Sequence, residues 1–262
     1  MPDVAGLSIE PFRGDFEGLE RMAHVSWRDE YDISSFPNLY RPAFLRYLFG
    51  RLPSQDHLIA AYRGDEIVAF LANVPHTFHF RGKTCRATRS GLLVTRKEFL
   101  RRGIAEALVN EALQLNEHYK YDFTTATFET GHRSALMVKK FQAQGKRLEW
   151  MKRLNVIARI LDLGRVERSE GLKTRERWAW VNHVAYFPLS GRERVSFVRA
   201  FLRHVRDLDC VGAIEWTKKY YPQGPFYRAH FFPYFRAVNM YSWTFNPELS
   251  LRKVRQCNEI LV

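Results

Sequence analysis

The hydrophobic pattern changes period several times along the chain. Leu7 to Phe12 alternates apolar and polar residues, the period of a half-buried strand. After Gly14-Asp15 the spacing lengthens, and Leu19, Met22, Ala23 and Trp27 share one helical face. Pro42 predicts the first turn of a second helix over Ala43 to Phe49. The apolar runs His57–Tyr62 and Ile67–Val74 flank Arg63-Gly64-Asp65-Glu66, a turn chemistry that makes them a hairpin. A longer hairpin goes out along His76–Phe80, turns at Arg81-Gly82-Lys83 and returns over Cys85–Val94. Ile104, Leu108, Ala112 and Leu115 then mark a helix, Tyr121–Phe128 a strand, Ser134–Gln144 a helix and Lys152–Leu161 a strand. The predicted order is β-α-α-β-β-β-α-β-α-β, an α/β (α+β) unit spanning residues 1–163.

Gly164 to Thr174 is charged and polar and reads as a linker to a second unit, residues 174–262. That unit starts with an aromatic strand, Trp178–Leu189, and a helix, Arg192–Asp207, burying Val195, Val198, Leu202 and Val205. A strand over Cys210–Trp216, an aromatic segment over Thr217–Arg236 and a strand over Ala237–Phe245 follow. This succession repeats the second half of the first unit, with Glu215-Trp216-Thr217 falling where Phe128-Glu129-Thr130 does. Two readings stand side by side: a degenerate half-copy, and an extension that covers a sheet edge and walls a cleft. Its aromatics serve as core in either case, or enclose an apolar acceptor or a long acyl chain.

Composition narrows the function. With 262 residues and 46% hydrophobic content, the chain can bury a sizeable core. A formal net charge of +13 calls for an anionic partner, whether phosphates, an acidic carrier protein, nucleic acid or an anionic membrane surface. Lys and Arg are spread along the chain and no nucleic-acid motif accompanies them, which disfavours nucleic acid. Cys85, Cys210 and Cys257 form neither a metal-ligand pattern nor a disulfide framework, as expected for a reducing, cytoplasmic setting. The N-terminus lacks a signal-peptide pattern, and no apolar run is long enough to span a bilayer. His76 and His79, three apart on a strand, point to opposite faces and do not share a metal.

Gly91 to Ala112, GLLVTRKEFLRRGIAEALVNEA, carries the chemistry. An apolar strand feeds a charged loop, and a helix then opens at Arg101-Arg102-Gly103-Ile104-Ala105. Free amides and the positive end of the helix dipole make such a start an anion site. Gly103 permits close approach, and the two arginines add charge. The same residues also fit an ordinary strand-loop-helix turn with solvated arginines.

Leu100-Arg101-Arg102-Gly103-Ile104-Ala105 resembles the acyl-CoA-binding motif of the GCN5-related N-acetyltransferase (GNAT) superfamily, Arg/Gln-x-x-Gly-x-Gly/Ala, and the element order over residues 7–162 is similar to that family's. Leu100 departs from the motif's leading Arg or Gln. The resemblance implies an acetyl-CoA or other acyl-CoA co-substrate, with pantetheine against backbone groups of Leu93, Val94 and Thr95 and diphosphate on the amides of Arg101, Arg102, Gly103, Ile104 and Ala105. It makes Val94 N–H the oxyanion donor. The family's proton-donating tyrosine is replaced by Phe141 and its helix-start asparagine by Ser134, which could solvate the sulfur or cap its helix. Glu129 and His132 are the candidate bases, and each also reads as a solvated loop group. The acceptor, a small-molecule or peptide amine, is expected over Trp27–Tyr40, where Asp29, Glu30 and Asp32 suit a cation. Three activities compete: an acyl-CoA-dependent N-acyltransferase, most simply an acetyltransferase; an acyltransferase drawing on an acyl carrier protein; and a GNAT-like binding module that has lost catalysis. The loop Ser190-Gly191-Arg192-Glu193-Arg194 of the second unit lacks the glycine pattern and is not expected to bind coenzyme A.

Overall fold

A computed structural model describes residues 6–31, 39–80, 82–129, 134–144, 147–166, 176–181, 184–217 and 221–252. The strands are β1 (Ser8–Pro11), β2 (Leu58–Arg63), β3 (Glu66–Phe80), β4 (Lys83–Thr95), β5 (Phe123–Glu129), β6 (Leu148–Ile160), β7 (Trp178–Trp180), β8 (Gly212–Trp216) and β9 (Phe232–Thr244). The helices are α1 (Phe16–Tyr31), α2 (Pro42–Phe49), α3 (Ile104–His118), α4 (Ser134–Ala143), α5 (Gly191–Asp207) and a short α6 (Gly224–Arg228). The strands form one mostly antiparallel sheet in the order β1-β2-β3-β4-β5-β9-β6-β8-β7.

Alternation along β2 and β3 separates the two faces. Leu58, Ala60, Tyr62 and Phe70 meet Leu19, Met22 and Ala23 of α1 and Leu45 and Phe49 of α2 on one side. Ile59, Ala61, Val68 and Leu71 meet Ile104, Leu108 and Ala112 of α3 on the other. The predicted helical stripes are largely the buried ones: in α3 Ile104, Leu108 and Ala112 are buried together with Leu113 and Asn116, while Leu115 is only half-buried. Pro42 opens α2 because its fixed φ suits a first turn and its missing N–H costs nothing there.

The C-terminal half builds the same pattern again. β4-α3-β5-α4-β6 is followed by β7-α5-β8-α6-β9, and in each copy the first two strands pair in parallel. The last strands have changed places: β9 lies antiparallel beside β5, and β6 lies antiparallel beside β8. β6 and β9 then pair with each other from Leu148↔Trp243 to Ala158↔Phe232. That mutual pairing explains why both strands begin earlier than their own apolar patterns indicate. The expected strand Trp178–Leu189 is shorter, ending at Trp180: Val181 N–H makes a last bond to the Ile214 carbonyl at 2.8 Å, and Val184 and Tyr186 pack beneath α5 with Val198, Leu202 and Val205. Gly212 is needed where β7 meets β8, since a Cβ there would stand 2.4 Å from the Trp178 ring.

Two outcomes follow from this packing. A fragment ending at residue 163 loses β9, the strand joining β5 to β6. In such a fragment, hydrogen exchange should show unprotected amides in β5 and β6, with protection kept in β2 and β3. His57 is 1% exposed, with its Nε2 3.1 Å from the Tyr121 hydroxyl, and burial lowers its pKa. The unfolded chain, with a histidine near pKa ~6.5, therefore takes up a proton that the folded chain refuses. Unfolding free energy from urea titrations should fall as pH drops below about 6.5, and His57→Gln should flatten that fall.

Candidate functional site

β4 and β5 start as neighbours and then separate. They pair from Ala87↔Phe123 to Ser90↔Ala126, after which β4 runs on to Thr95 and β5 to Glu129 with no further mutual pairing. Each arm stays tied to its other neighbour. Val94 and Thr95 pair with Phe70 and Ala69 of β3, while Thr127, Phe128 and Glu129 pair with Met240, Asn239 and Val238 of β9. The result is a V whose inner edges are the backbones of Gly91–Thr95 and Thr127–Glu129.

A bulge in β4 accompanies the parting. The step from Gly91 to Val94 spans three residues opposite a two-residue step from Ala72 to Phe70 on β3. Leu92 takes φ 52, unusual for a leucine, and such a bulge bends the strand that carries it. Leu93 faces α3 and Val94 the α1/α2 side, so both side chains are occupied in packing and only their backbones face the gap.

A buried polar cluster fixes the last paired rung. Asn116 Oδ1 of α3 accepts from Asn73 Nδ2 at 2.8 Å and from the Thr88 hydroxyl at 3.0 Å. Thr88 Oγ1 also lies 2.8 Å from Thr124 Oγ1, and the Ser90 hydroxyl donates to Asn73 Oδ1 at 2.9 Å. The cluster joins β3, β4, β5 and α3 at the vertex of the V. These shared bonds tie four elements to one register, while Asn116 Nδ2 is buried without a hydrogen-bond partner among the described residues.

The start of α3 is open. Gly103 is the N-cap residue at φ 82, with no side-chain cap, and the first helical bond runs from Ala107 N–H to the Gly103 carbonyl at 3.0 Å. The amides of Gly103, Ile104 and Ala105 therefore have no acceptor within the helix. Arg101, at φ 65, and Arg102 are exposed beside them, Arg102 lying over the Phe99 ring at 5.3 Å. Ile104 contributes only its backbone, because its side chain is 1% exposed.

The equivalent start of α5 is closed. Ser190 Oγ accepts from Glu193 N–H at 3.4 Å, and Glu193 Oε2 accepts from Ser190 N–H at 2.7 Å. These bonds hold the Glu193 carboxyl below its usual pKa, so a negative charge occupies the place an anion would take. Of the two repeated helix starts, that of α3 has no side-chain cap and that of α5 has a complete capping box.

The predicted groups Leu93, Val94, Thr95 and Arg101 to Ala105 therefore come together, along one arm of the V and at the helix start beyond it. Glu129 ends the other arm, and Ser134 is the first residue of α4. The side chains of both, and all of His132 and Asp32, lie outside the described residues. Asp29 and Glu30 fall in the last turn of α1. Phe141 is 2% exposed and meets Trp243 edge-on at 6.2 Å, so it faces the core. Reading the sequence did not single out Asn73, Thr88, Ser90, Asn116 and Thr124, although the polar run Thr84–Ser90 inside an otherwise apolar strand was their visible trace. Nothing short of the strand order shows that β9 lies beside β5 at this site. Among the described residues no group of three or more His, Cys, Asp or Glu could hold a metal, and no helix is long and apolar enough to cross a membrane.

No protein-family model matches the sequence, and no curated protein matches it in sequence. Solved structures do match in shape. N-myristoyltransferase from Saccharomyces cerevisiae, with bound myristoyl-CoA and inhibitors, aligns at TM-score 0.66 and 10% identity, over 93% of this chain and 81% of that one. A GCN5-related N-acetyltransferase from Sphaerobacter thermophilus aligns at TM-score 0.60 and 10% identity, over 95% of this chain and 99% of that one. Both alignments extend across the two repeated halves. The parted β4 and β5, the glycine-bearing helix start and these alignments agree on one architecture: the protein has the GCN5-related N-acetyltransferase fold.

Proposed function

We propose that this protein is an acyl-CoA-dependent N-acyltransferase. The observation that carries the reading is the V between β4 and β5, opening beside an uncapped helix start flanked by Arg101 and Arg102. The amides of Gly103 to Ala105 would hold the diphosphate, and Leu93, Val94 and Thr95 would line the pantetheine with backbone groups. Val94 N–H is the assigned oxyanion donor. Leu100 removes one side chain from the motif but no backbone donor, so the anion site persists. Holding amine and thioester together in the V supplies most of the rate, since it turns a two-body encounter into a one-body step. Glu129 or His132 would take the proton that the attacking ammonium must lose.

The fold neighbours bear on the donor. One was crystallised with myristoyl-CoA and another is a GCN5-related N-acetyltransferase, so donors from acetyl to myristoyl fall within the proposal. The acceptor is a primary amine on a small molecule or a peptide, and a carrier-protein thioester is the alternative donor. A second reading, a binding module without turnover, is favoured by the buried Phe141, which cannot donate a proton.

Calorimetry with coenzyme A esters from acetyl to myristoyl should show binding by at least one of them. Gly103→Asp should weaken that binding roughly tenfold or more, because the left-handed φ disfavours a side chain and the added charge opposes phosphate. An unchanged affinity in that variant would remove the helix start from the site. Release of free thiol with a panel of alkylamines, polyamines and short peptides separates the readings: an acyltransferase turns over, a binding module only binds.

A further inference from the structure

Phe141 of α4 faces the core, and the exchanged strand β9 carries a tyrosine level with the vertex of the V. Tyr241 of β9 pairs with Ala126 of β5, and Ala126 in turn pairs with Ser90 of β4. Ser90↔Ala126 is the last rung before the strands part, so Tyr241 stands in line with the vertex of the V. Residues in one such row project to the same face of a sheet. The hydrogen bonds of the Ser90 and Thr88 hydroxyls toward Asn116 and its neighbours identify that face as the one bearing α3. Tyr241 and the open start of α3 therefore share a side.

The residue between Tyr241 and Ser90 in this row is Ala126, whose side chain is only a methyl group. Neighbouring strands lie about 4.8 Å apart, so a tyrosine leaning across one alanine can bring its hydroxyl over the opening. The Tyr241 ring is half-buried and braced edge-on by Phe128 at 5.7 Å. Its hydroxyl has no hydrogen-bond partner among the described residues. Phe141, by contrast, points into the core against Trp243.

We propose that Tyr241 protonates the departing thiolate, so that the C-terminal half completes the catalytic site of the N-terminal half. This rests on the acyl-transfer reading. The amine nitrogen bonds to the thioester carbonyl carbon, the carbon–sulfur bond breaks, and its electron pair goes to sulfur. Sulfur takes the phenolic proton, and the phenolate recovers one from solvent, balancing the proton released by the amine. The products are an amide and a free thiol.

The test is Tyr241→Phe in the full chain, which keeps the ring against Phe128 and removes one oxygen. Steady-state rates are measured with the fastest coenzyme A ester and the fastest amine of the panel, across pH. The expected result is a kcat lower by roughly tenfold to a hundredfold, toward or below the small end of general-acid effects because a thiol leaves readily. KM, calorimetric affinity and thermal midpoint should stay as in the unmodified protein, and the alkaline limb of the kcat profile should disappear. Phe141→Tyr in the same background should restore nothing, as its hydroxyl would lie in the core. An unchanged kcat, or a loss matched by weaker binding, overturns the assignment while leaving acyl transfer standing. Binding without any turnover in the unmodified protein overturns both.

Discussion

Backbone hydrogen bonds that β4 and β5 do not make with each other govern this structure. Sheet strands normally satisfy their polar groups along their whole length, because a buried unpaired amide or carbonyl is costly. Here pairing stops at Ser90↔Ala126, and each arm is held away from its partner by the neighbour behind it, β3 or β9. The β4 bulge at Leu92 bends one arm, while the cluster around Asn73 and Asn116 clamps the rung just below. Two strand edges that do not pair with each other thus lie next to a helix start without a side-chain cap. On the proposed function, these edges and the helix start would face the amide-bearing arm and the phosphate end of the donor.

The exchange of β6 and β9 ties the C-terminal half into the sheet beside the V. Without β9, the arm of the V that ends at Glu129 would have no second neighbour and would be free to close on β4. The C-terminal half supplies that neighbour, and the start of its own helix α5 is closed by the Ser190–Glu193 capping box. Its aromatic residues serve as core: Tyr186, Tyr221, Phe226 and Phe231 pack under α5 and α6.

Much of this was legible in the sequence, and the remainder was hidden for definite physical reasons. Local period revealed α1, α3 and the β2–β3 hairpin, since each buries one face and shows it in the spacing of Leu19, Met22, Ala23 or of Ile104, Leu108, Ala112. Gly103 and its arginines pointed to the helix start because backbone conformation and charge are local properties. The placement of β9 was not legible, because Ala237–Phe245 reads the same at a sheet edge as at its centre. Nor was the inward turn of Phe141, which depends on Trp243 more than a hundred residues away in sequence. The strand Trp178–Leu189 was overextended for a related reason: Val184 and Tyr186 are apolar for a helix-covered core, not for a ladder.

The central claim is that a coenzyme A ester lies in the V with its phosphates on the start of α3. Residue-resolved hydrogen exchange with and without coenzyme A tests it most directly. The account predicts slowed exchange at Gly103 to Ala105 and along Gly91 to Thr95, with Ser190 to Arg194 unaffected. Protection confined to α5, or none at saturating ligand, would contradict it.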